Sequence, residues 1–428
     1  MPSPASPIPS EPSAPADGRR IVILGAGIAG TSAAEAARQA DAGARITLVS
    51  DESDLPYYRL NLTKYVAGEI GTDDLPLHPR SWYEERAIDL RPGVRATAVA
   101  TDDGTVALDS GPPLPFDRLV LATGARAAVP PIEGTDLDGV LCMRTRADAD
   151  RVLAGPDGAG PASLRDCPCV VIGGGLLGLE TAAALVRRGA RVTVVEGLEH
   201  LLPLQLTPPA AEVLQDHIEG MGIAVRTGTM TARLGGDGRV REAVMADGSR
   251  LPARLVVINT GVAPNLDLAK RAGLATADGV VVDDRLATSH PRVFAAGDGA
   301  EHAGTLYGLW LASRMQGRTA GRAAAGDSDA AFTGIPPAYI LKVVDVDVFS
   351  IGTVACDAPD CRTVDGRTGS TYRRFVFRGG RLVGAILLGD TSAMPAARKA
   401  IAEGTDLSGL AEGSLSAEDV ARGLVDAV

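Results

Sequence analysis

Cysteine is scarce in this 428-residue chain: five residues, none before Cys142. That count is not a disulfide framework, and it points to a reducing cytoplasm. Lysine is scarcer still, with Lys64, Lys270, Lys342 and Lys399 set against 38 arginines. Each lysine therefore carries more information than a lysine usually does. Aromatic residues make up only 4%. No apolar run approaches the ~20 residues that a membrane helix needs, which argues against a membrane protein. Basic excess is also missing. The net charge of −11 argues against a nucleic-acid binder. The segment 1–18 is rich in Pro, Ser and Ala and has no basic n-region. It reads as a disordered tail, not a secretory signal.

What is present is a globular composition, 45% hydrophobic and 22% charged, in a chain long enough for two or three domains. One plan occurs twice. Ile21-Val22-Ile23-Leu24 is an apolar strand followed by a glycine turn, an Ala-rich helix to about Gln39, and a second strand, Ile46–Val49. Later, Val170-Val171-Ile172 leads through a glycine turn into a helix to about Arg188, then into Val192–Val195. Continuous apolar strands of this kind belong to buried parallel sheets, so the fold class is α/β with two Rossmann-like units. Leu119–Ala125 and Leu255–Gly261 are two further short buried strands, each ending at a glycine. Stretches 128–134 and 155–161 read as linkers. From about Phe332 the pattern changes to alternating strands, among them Lys342–Val348 and Arg373–Phe377, in a smaller α+β domain that ends in helices.

Gly25-Ala26-Gly27-Ile28-Ala29-Gly30 and Gly173-Gly174-Gly175-Leu176-Leu177-Gly178 share the G-x-G-x-x-G spacing. The first glycine permits a tight turn, and the second lets the backbone approach a pyrophosphate. The third lets helix and strand pack closely, and the helix N-terminus favours the anion. One such motif is a weak signal; two in strand–turn–helix context are a strong one. Each unit should end its second strand with an acid for a ribose hydroxyl. Glu196 stands there in the second unit, 23 positions after Gly173. Its carboxylate would repel a 2′-phosphate, and no arginine lies in 197–202 to offset that, which favours NADH over NADPH. In the first unit the equivalent place is Ser50, followed by Asp51 and Glu52, and Asp51 is the candidate.

A third segment, Thr288-Ser289-His290-Pro291-Arg292-Val293-Phe294-Ala295-Ala296-Gly297-Asp298, resembles the second FAD fingerprint of the FAD-dependent pyridine nucleotide-disulfide oxidoreductases, flavoproteins with two dinucleotide-binding domains. The resemblance covers about 19–330, with Thr123-Gly124 and Gly261 at family glycine positions. It implies FAD and NADH as cofactors, with Asp298 and Gly297 at the flavin ribitol. It also implies this domain plan: FAD-binding segments 19–140 and 255–330, an NAD domain at 141–254, and a C-terminal α+β domain at 331–428. Disulfide reductases of the family carry redox cysteines on the helix after the first unit. This chain has none there, which argues against a thiol relay near the flavin.

In that place stands Pro56-Tyr57-Tyr58-Arg59-Leu60-Asn61-Leu62-Thr63-Lys64, similar to the Pro-Tyr-x-Arg-Pro-Pro-Leu-Ser-Lys segment of the ferredoxin, rubredoxin and nitrite reductase flavoproteins. Leu60 and Asn61 depart from the usual prolines. The resemblance implies that Arg59 and Lys64 serve the flavin, with Lys64 near N5 and paired to Glu180. A cation there stabilises the charge of the reduced ring. Trp310-Leu311-Ala312-Ser313-Arg314-Met315-Gln316-Gly317 resembles the segment that sets a Trp against the flavin and opens a long helix. The tail is similar to the matching part of NADH-nitrite reductase. The chain ends where those enzymes continue into iron–sulfur and siroheme regions, which implies a separate acceptor.

The expectation is an FAD-dependent NADH oxidoreductase, monomer or homodimer, that serves an iron–sulfur carrier of ferredoxin or rubredoxin type. Two alternatives stand beside it: a reductase or oxidase of small molecules, and a non-catalytic NADH-binding sensor or subunit. Arg314, Arg318 and Arg322 form a helical stripe that reads either as a docking face for an acidic carrier or as a solvated face. Cys167, Cys169, Cys356 and Cys361 lack histidines at metal-ligand spacing and read as buried or incidental thiols.

Overall fold

The computed structural model describes residues 18–335, 338–343, 345–356, 358–412 and 414–428. The expected tail falls on residues 1–17, outside the described residues, except for Gly18. The chain forms two compact units. The first comprises Met1–Tyr57, Pro76–Ala125 and Pro264–Gly334; the second comprises Tyr58–Leu75, Arg126–Ala263 and Ile335–Val428.

The first unit is built on a five-stranded parallel sheet in the order Val293–Ala295, Arg118–Leu121, Arg20–Leu24, Arg45–Val49, Ile88–Arg91. Ile21, Ile23 and Leu24 are almost wholly buried, as are Leu119, Val120, Leu48 and Val49. Runs buried on both faces are the reason these strands lack polar alternation. Burying each such side chain contributes roughly 1.5–3 kcal/mol. Helix Ile28–Ala40 covers the sheet with a face of alanines. Small residues let a second helix, Trp310–Ala324, come against it: a Cβ on Gly317 or Gly321 would strike the carbonyl of Ala29 or Ala33.

The second unit repeats the plan strand for strand. Its parallel sheet runs Ala224–Arg226, Arg191–Val195, Pro168–Ile172, Leu255–Ile258, Val140–Cys142, with helix Leu176–Arg187 after the glycine turn. In both sheets the strand before the glycine turn is central. An antiparallel three-stranded sheet, Thr231–Asp237, Arg239–Met245 and Arg250–Pro252, supplies Leu234, Val240 and Ala243 to the core shared with Val170, Val195 and Val256.

The parallel sheet of this unit corrects the expected boundaries. Leu255–Ile258, expected in the FAD segment 255–330, pairs in parallel with the strand before the second glycine turn, Cys169 opposite Leu255 and Ile172 opposite Ile258. Val140–Cys142 then adds to its far edge. Residues 58–75, expected in segment 19–140, group with the second unit.

The C-terminal region of that unit is a five-stranded antiparallel sheet: Ala338–Val343, Val346–Gly352, Arg381–Leu388, Thr371–Arg378, Cys361–Thr368. Phe349, Phe375, Phe377 and Leu387 pack with Ala397, Val420 and Leu424 from helices Met394–Glu403 and Ala417–Ala427. The single strand expected over Lys342–Val348 is two strands of a hairpin. The chain reverses at Asp345, which takes a left-handed φ of 65° that Asp tolerates better than most residues.

Candidate functional site

Both glycine turns form the same cradle. Gly25 and Gly173 take φ of 101° and 114°, and each donates its N–H to the end of the neighbouring strand, Val49 O and Val195 O, at 2.8 Å. A Cβ on either would enter a backbone carbonyl, Ala122 O or Asn259 O. A Cβ on Gly30 or Gly178 would enter the carbonyl of Gly25 or Gly173, so the helix lies directly against the turn. Gly27 and Gly175 differ: a Cβ there would meet nothing within 4 Å. Each of these two is also the N-cap of its helix, with no side chain accepting from the first turn and no acid in it. The free N–H groups and the open space above the middle glycine fit a pyrophosphate in both units. Ala29, Leu176 and Leu177 lie on the first turns of these helices.

In the second unit Glu196 follows the strand end and bridges the loop. Its Oε2 accepts the Gly174 N–H at 2.7 Å, and its Oε1 accepts the Leu198 N–H at 2.8 Å. In the first unit Ser50 occupies the same backbone position: Ser50 N–H donates to Arg91 O as Glu196 N–H donates to Arg226 O. Asp51, the sequence candidate, is exposed and sits 3.5 Å from Arg95. Glu52 is the more engaged acid, accepting the Tyr57 hydroxyl at 2.5 Å.

The fingerprint residues Gly297 and Asp298 follow strand Val293–Ala295 and face helix Trp310–Ala324. Ser313 Oγ donates to Asp298 Oδ1 at 3.1 Å, and Gln316 Oε1 accepts the Gly297 N–H at 2.9 Å. Gln316 is buried, and its Nε2 is an orphan donor among the described residues. Such an atom fits a site that is completed by a polar ligand. Thr123 and Gly124 are held by Asn265, whose Nδ2 donates to Thr123 O at 2.9 Å and whose N–H donates to Gly124 O at 2.9 Å. Sequence reasoning missed Ser313, Gln316 and Asn265; Ser313 and Gln316 stood inside the Trp310 motif as recurring polar positions on a helix.

Trp310 opens its helix as expected, half-buried, with the Arg314 guanidinium 5.7 Å from its ring centroid. The arginine stripe is divided among local partners. Arg322 Nε donates to Asp327 at 2.7 Å, and Arg318 lies 3.9 Å from Glu35.

Within the second unit, Arg59-Leu60-Asn61 forms a 3-10 turn into helix Leu62–Ala67. Asn61 N–H donates to Tyr58 O at 2.9 Å, a bond that proline cannot make. Arg59 Nη1 donates to Arg144 O at 2.6 Å. Lys64 is exposed and acts on Glu180 through its charge, not through the direct pairing expected. Among the described residues the direct partner of Glu180 is Thr63, whose hydroxyl donates to Oε2 at 3.0 Å. Burial pushes the Glu180 carboxyl above its ordinary value, against the opposing pull of Thr63 and Lys64. Gly261 follows strand Leu255–Ile258 and accepts the Ala128 N–H at 3.0 Å.

The cysteine reading needs one correction. Cys167 and Cys169 are buried and free, and Cys142 is free and half-buried, but Cys356 and Cys361 are joined in a disulfide. Among the described residues no cluster of His, Cys, Asp and Glu could hold a metal ion. No described helix is long and apolar enough to cross a membrane.

The family model for "Pyridine nucleotide-disulphide oxidoreductase" matches residues 19–317, and that for "Rubredoxin NAD+ reductase C-terminal domain" matches 337–405. The chain is 33% identical over 377 residues to a nitrite reductase [NAD(P)H] of Bacillus subtilis, covering 87% of this chain and 46% of that protein. The chain thus spans about half the length of that relative. It is 34% identical over 293 residues to the rubredoxin-NAD(+) reductase of Pseudomonas putida, 68% of this chain and 74% of the relative. Among solved structures, the ferredoxin reductase for the CYP199A2 system of Rhodopseudomonas palustris is 29% identical with a TM-score of 0.82, covering 94% of this chain and 100% of that one.

Proposed function

We propose, for a chain that belongs to the pyridine nucleotide-disulphide oxidoreductase family, that it takes electrons from NADH through FAD and hands them to an iron–sulfur carrier of ferredoxin or rubredoxin type. The observation that carries the reading is the pair of like cradles, each with an open middle glycine at a bare helix N-terminus. The family is one of FAD- and NAD(P)H-dependent oxidoreductases. Bound FAD supplies a ring that accepts a hydride and releases electrons onward.

In this reading Gly25, Gly27, Ala29 and Gly30 hold the FAD pyrophosphate. Gly297 and Asp298, steadied by Ser313 and Gln316, hold the ribityl side, with Thr123, Gly124 and Trp310 beside them. The ribose acid is Asp51, or Glu52, which is the better fixed of the two. Gly173, Gly175, Leu176, Leu177 and Gly178 hold the nicotinamide dinucleotide, and Gly261 shapes the adjoining loop. Glu196, released from its two backbone N–H groups, accepts the ribose 2′-OH and repels a 2′-phosphate, which supports NADH as donor. Arg59 and Lys64 serve the flavin, Lys64 stabilising negative charge on the reduced ring, with Glu180 as counter-charge. The lack of any cysteine before Cys142 supports direct transfer without a thiol relay.

The names of the relatives and the C-terminal domain match support an iron–sulfur carrier as acceptor. The cytoplasm, where NADH is plentiful, is the proposed location, and the protein works there as a monomer or homodimer. A second reading, direct reduction of a small molecule, draws on Leu60, which stands 59% exposed where the resembling segment has proline. Rapid mixing with NADH is expected to bleach the visible flavin absorption, and purified ferredoxin or rubredoxin to restore it. A protein that stays yellow defeats the redox reading. Full turnover on a small oxidant with no carrier added favours the second one.

A further inference from the structure

The seam between helices Leu62–Ala67 and Leu176–Arg187, both within the second unit, is fastened at two ends. At one end Arg188 Nε donates to Val66 O at 2.6 Å, and Arg187 pairs with Glu69. At the other end the tie is the bond from Thr63 to Glu180. Thr63 is 7% exposed, so little of the residue meets bulk water.

We propose that Thr63 is the positioning residue of this site: its hydroxyl fixes the Glu180 carboxylate on the helix seam, in the orientation from which it serves as counter-charge to Lys64. The proposal rests on the role given to Glu180 above. Two adjacent residues then divide the work, Thr63 by direct donation and Lys64 by charge. A hydrogen bond donated to a carboxylate favours the ionised form, and only that form is a counter-charge.

The burial that raises the Glu180 carboxyl makes this donation matter, because without it burial acts against Lys64 alone. The other charged or titrating groups on the two helices are occupied elsewhere. Arg187 is shared between Glu69 and Asp345, Arg188 is on the Val66 carbonyl, and the Tyr65 hydroxyl donates to Asp150 at 2.7 Å. Of the strands beside Glu180's helix, Pro168–Ile172 holds the Cys169 thiol and no charged residue, Arg191–Val195 holds Arg191, which donates to Asp166 O, and Ala338–Val343 holds Lys342.

The test uses the purified holoenzyme as wild type, Thr63→Val, Thr63→Ser and Glu180→Gln. Two quantities are read across pH: the protonated-carboxyl infrared band that Glu180→Gln abolishes, and the rate of flavin reduction by NADH. Thr63→Val is expected to move the carboxyl titration to higher pH. It is also expected to slow reduction about tenfold near neutrality, the scale of one lost hydrogen bond to a charged group, with NADH affinity unchanged. The deficit should shrink as pH rises and the carboxylate re-forms. Thr63→Ser, which keeps the hydroxyl, is expected to restore both. An unmoved titration in Thr63→Val, or no rescue by Thr63→Ser, overturns the proposal. If Glu180→Gln slows reduction while Thr63→Val does not, the proposal alone falls. If Glu180→Gln leaves reduction at the wild-type rate, the role given to Glu180 falls, and the proposal with it.

Discussion

Gln316 Oε1 accepts the backbone N–H of Gly297 at 2.9 Å, and this bond ties the Trp310–Ala324 helix to the glycine that precedes Asp298. Both partners are buried. Replacing Gln316 with Leu keeps the volume roughly but leaves the Gly297 N–H without an acceptor, a loss of about 1–3 kcal/mol. The expected outcome is flavin affinity weakened by about tenfold or more, measured as FAD released on dilution and gel filtration. Undiminished retention would mean that the bond steadies the fold without bearing on the cofactor.

The same helix meets helix Ile28–Ala40 through glycine. At Gly321 a Cβ would press on the Ala33 carbonyl, backbone that cannot rotate away. Gly321→Val is therefore expected to destabilise the protein by at least about 2 kcal/mol through overpacking, seen as a lower midpoint of thermal unfolding. Gly409→Ala is the contrast. That glycine lies in helix Ser408–Glu412 with open space around it, so the change is expected to be neutral or to stabilise by about 0.5–1 kcal/mol. Equal loss in both variants would refute the packing argument.

How much of this was legible beforehand depended on the range of the interaction. The glycine turns, the strands leading into them and the helix starting at Trp310 are local events, written in residues a few positions apart. The sheet partner of Leu255–Ile258 was not, because four apolar residues read alike in either sheet and pairing with Cys169–Ile172 is a long-range choice. The reversal at Asp345 hid inside a run whose alternation fits one strand as well as two. Asn265 on Thr123, and the Cys356–Cys361 bond, join residues whose spacing matches no motif.

Glu196 carries both of its carboxylate oxygens on backbone N–H groups, Gly174 and Leu198. Neutralising it as Glu196→Gln removes the repulsion toward a 2′-phosphate and weakens the charge-assisted bond to a 2′-OH, worth about 1.5–3 kcal/mol. The ratio of kcat/KM for NADPH over NADH is expected to rise about tenfold or more. An unchanged ratio in steady-state kinetics would remove Glu196 from the nucleotide preference.

Glu180 makes stability depend on pH in a stated direction. Burial is the larger influence on its carboxyl, which is held above the ordinary value in the folded chain. The folded state therefore binds its proton more readily than the unfolded state, and this group's contribution to stability falls as pH rises through the folded value. Below the unfolded value, the ordinary one for a glutamate, the group is protonated in both states and the penalty is absent. Glu180→Gln is neutral at every pH and can still accept from Thr63. Its unfolding midpoint is expected to exceed that of wild type above the folded value, with the gap closing as pH is lowered toward the unfolded one. Thermal unfolding of both proteins across that range decides it: a gap that widens on acidification would mean that Lys64 and Thr63 outweigh burial at this carboxylate.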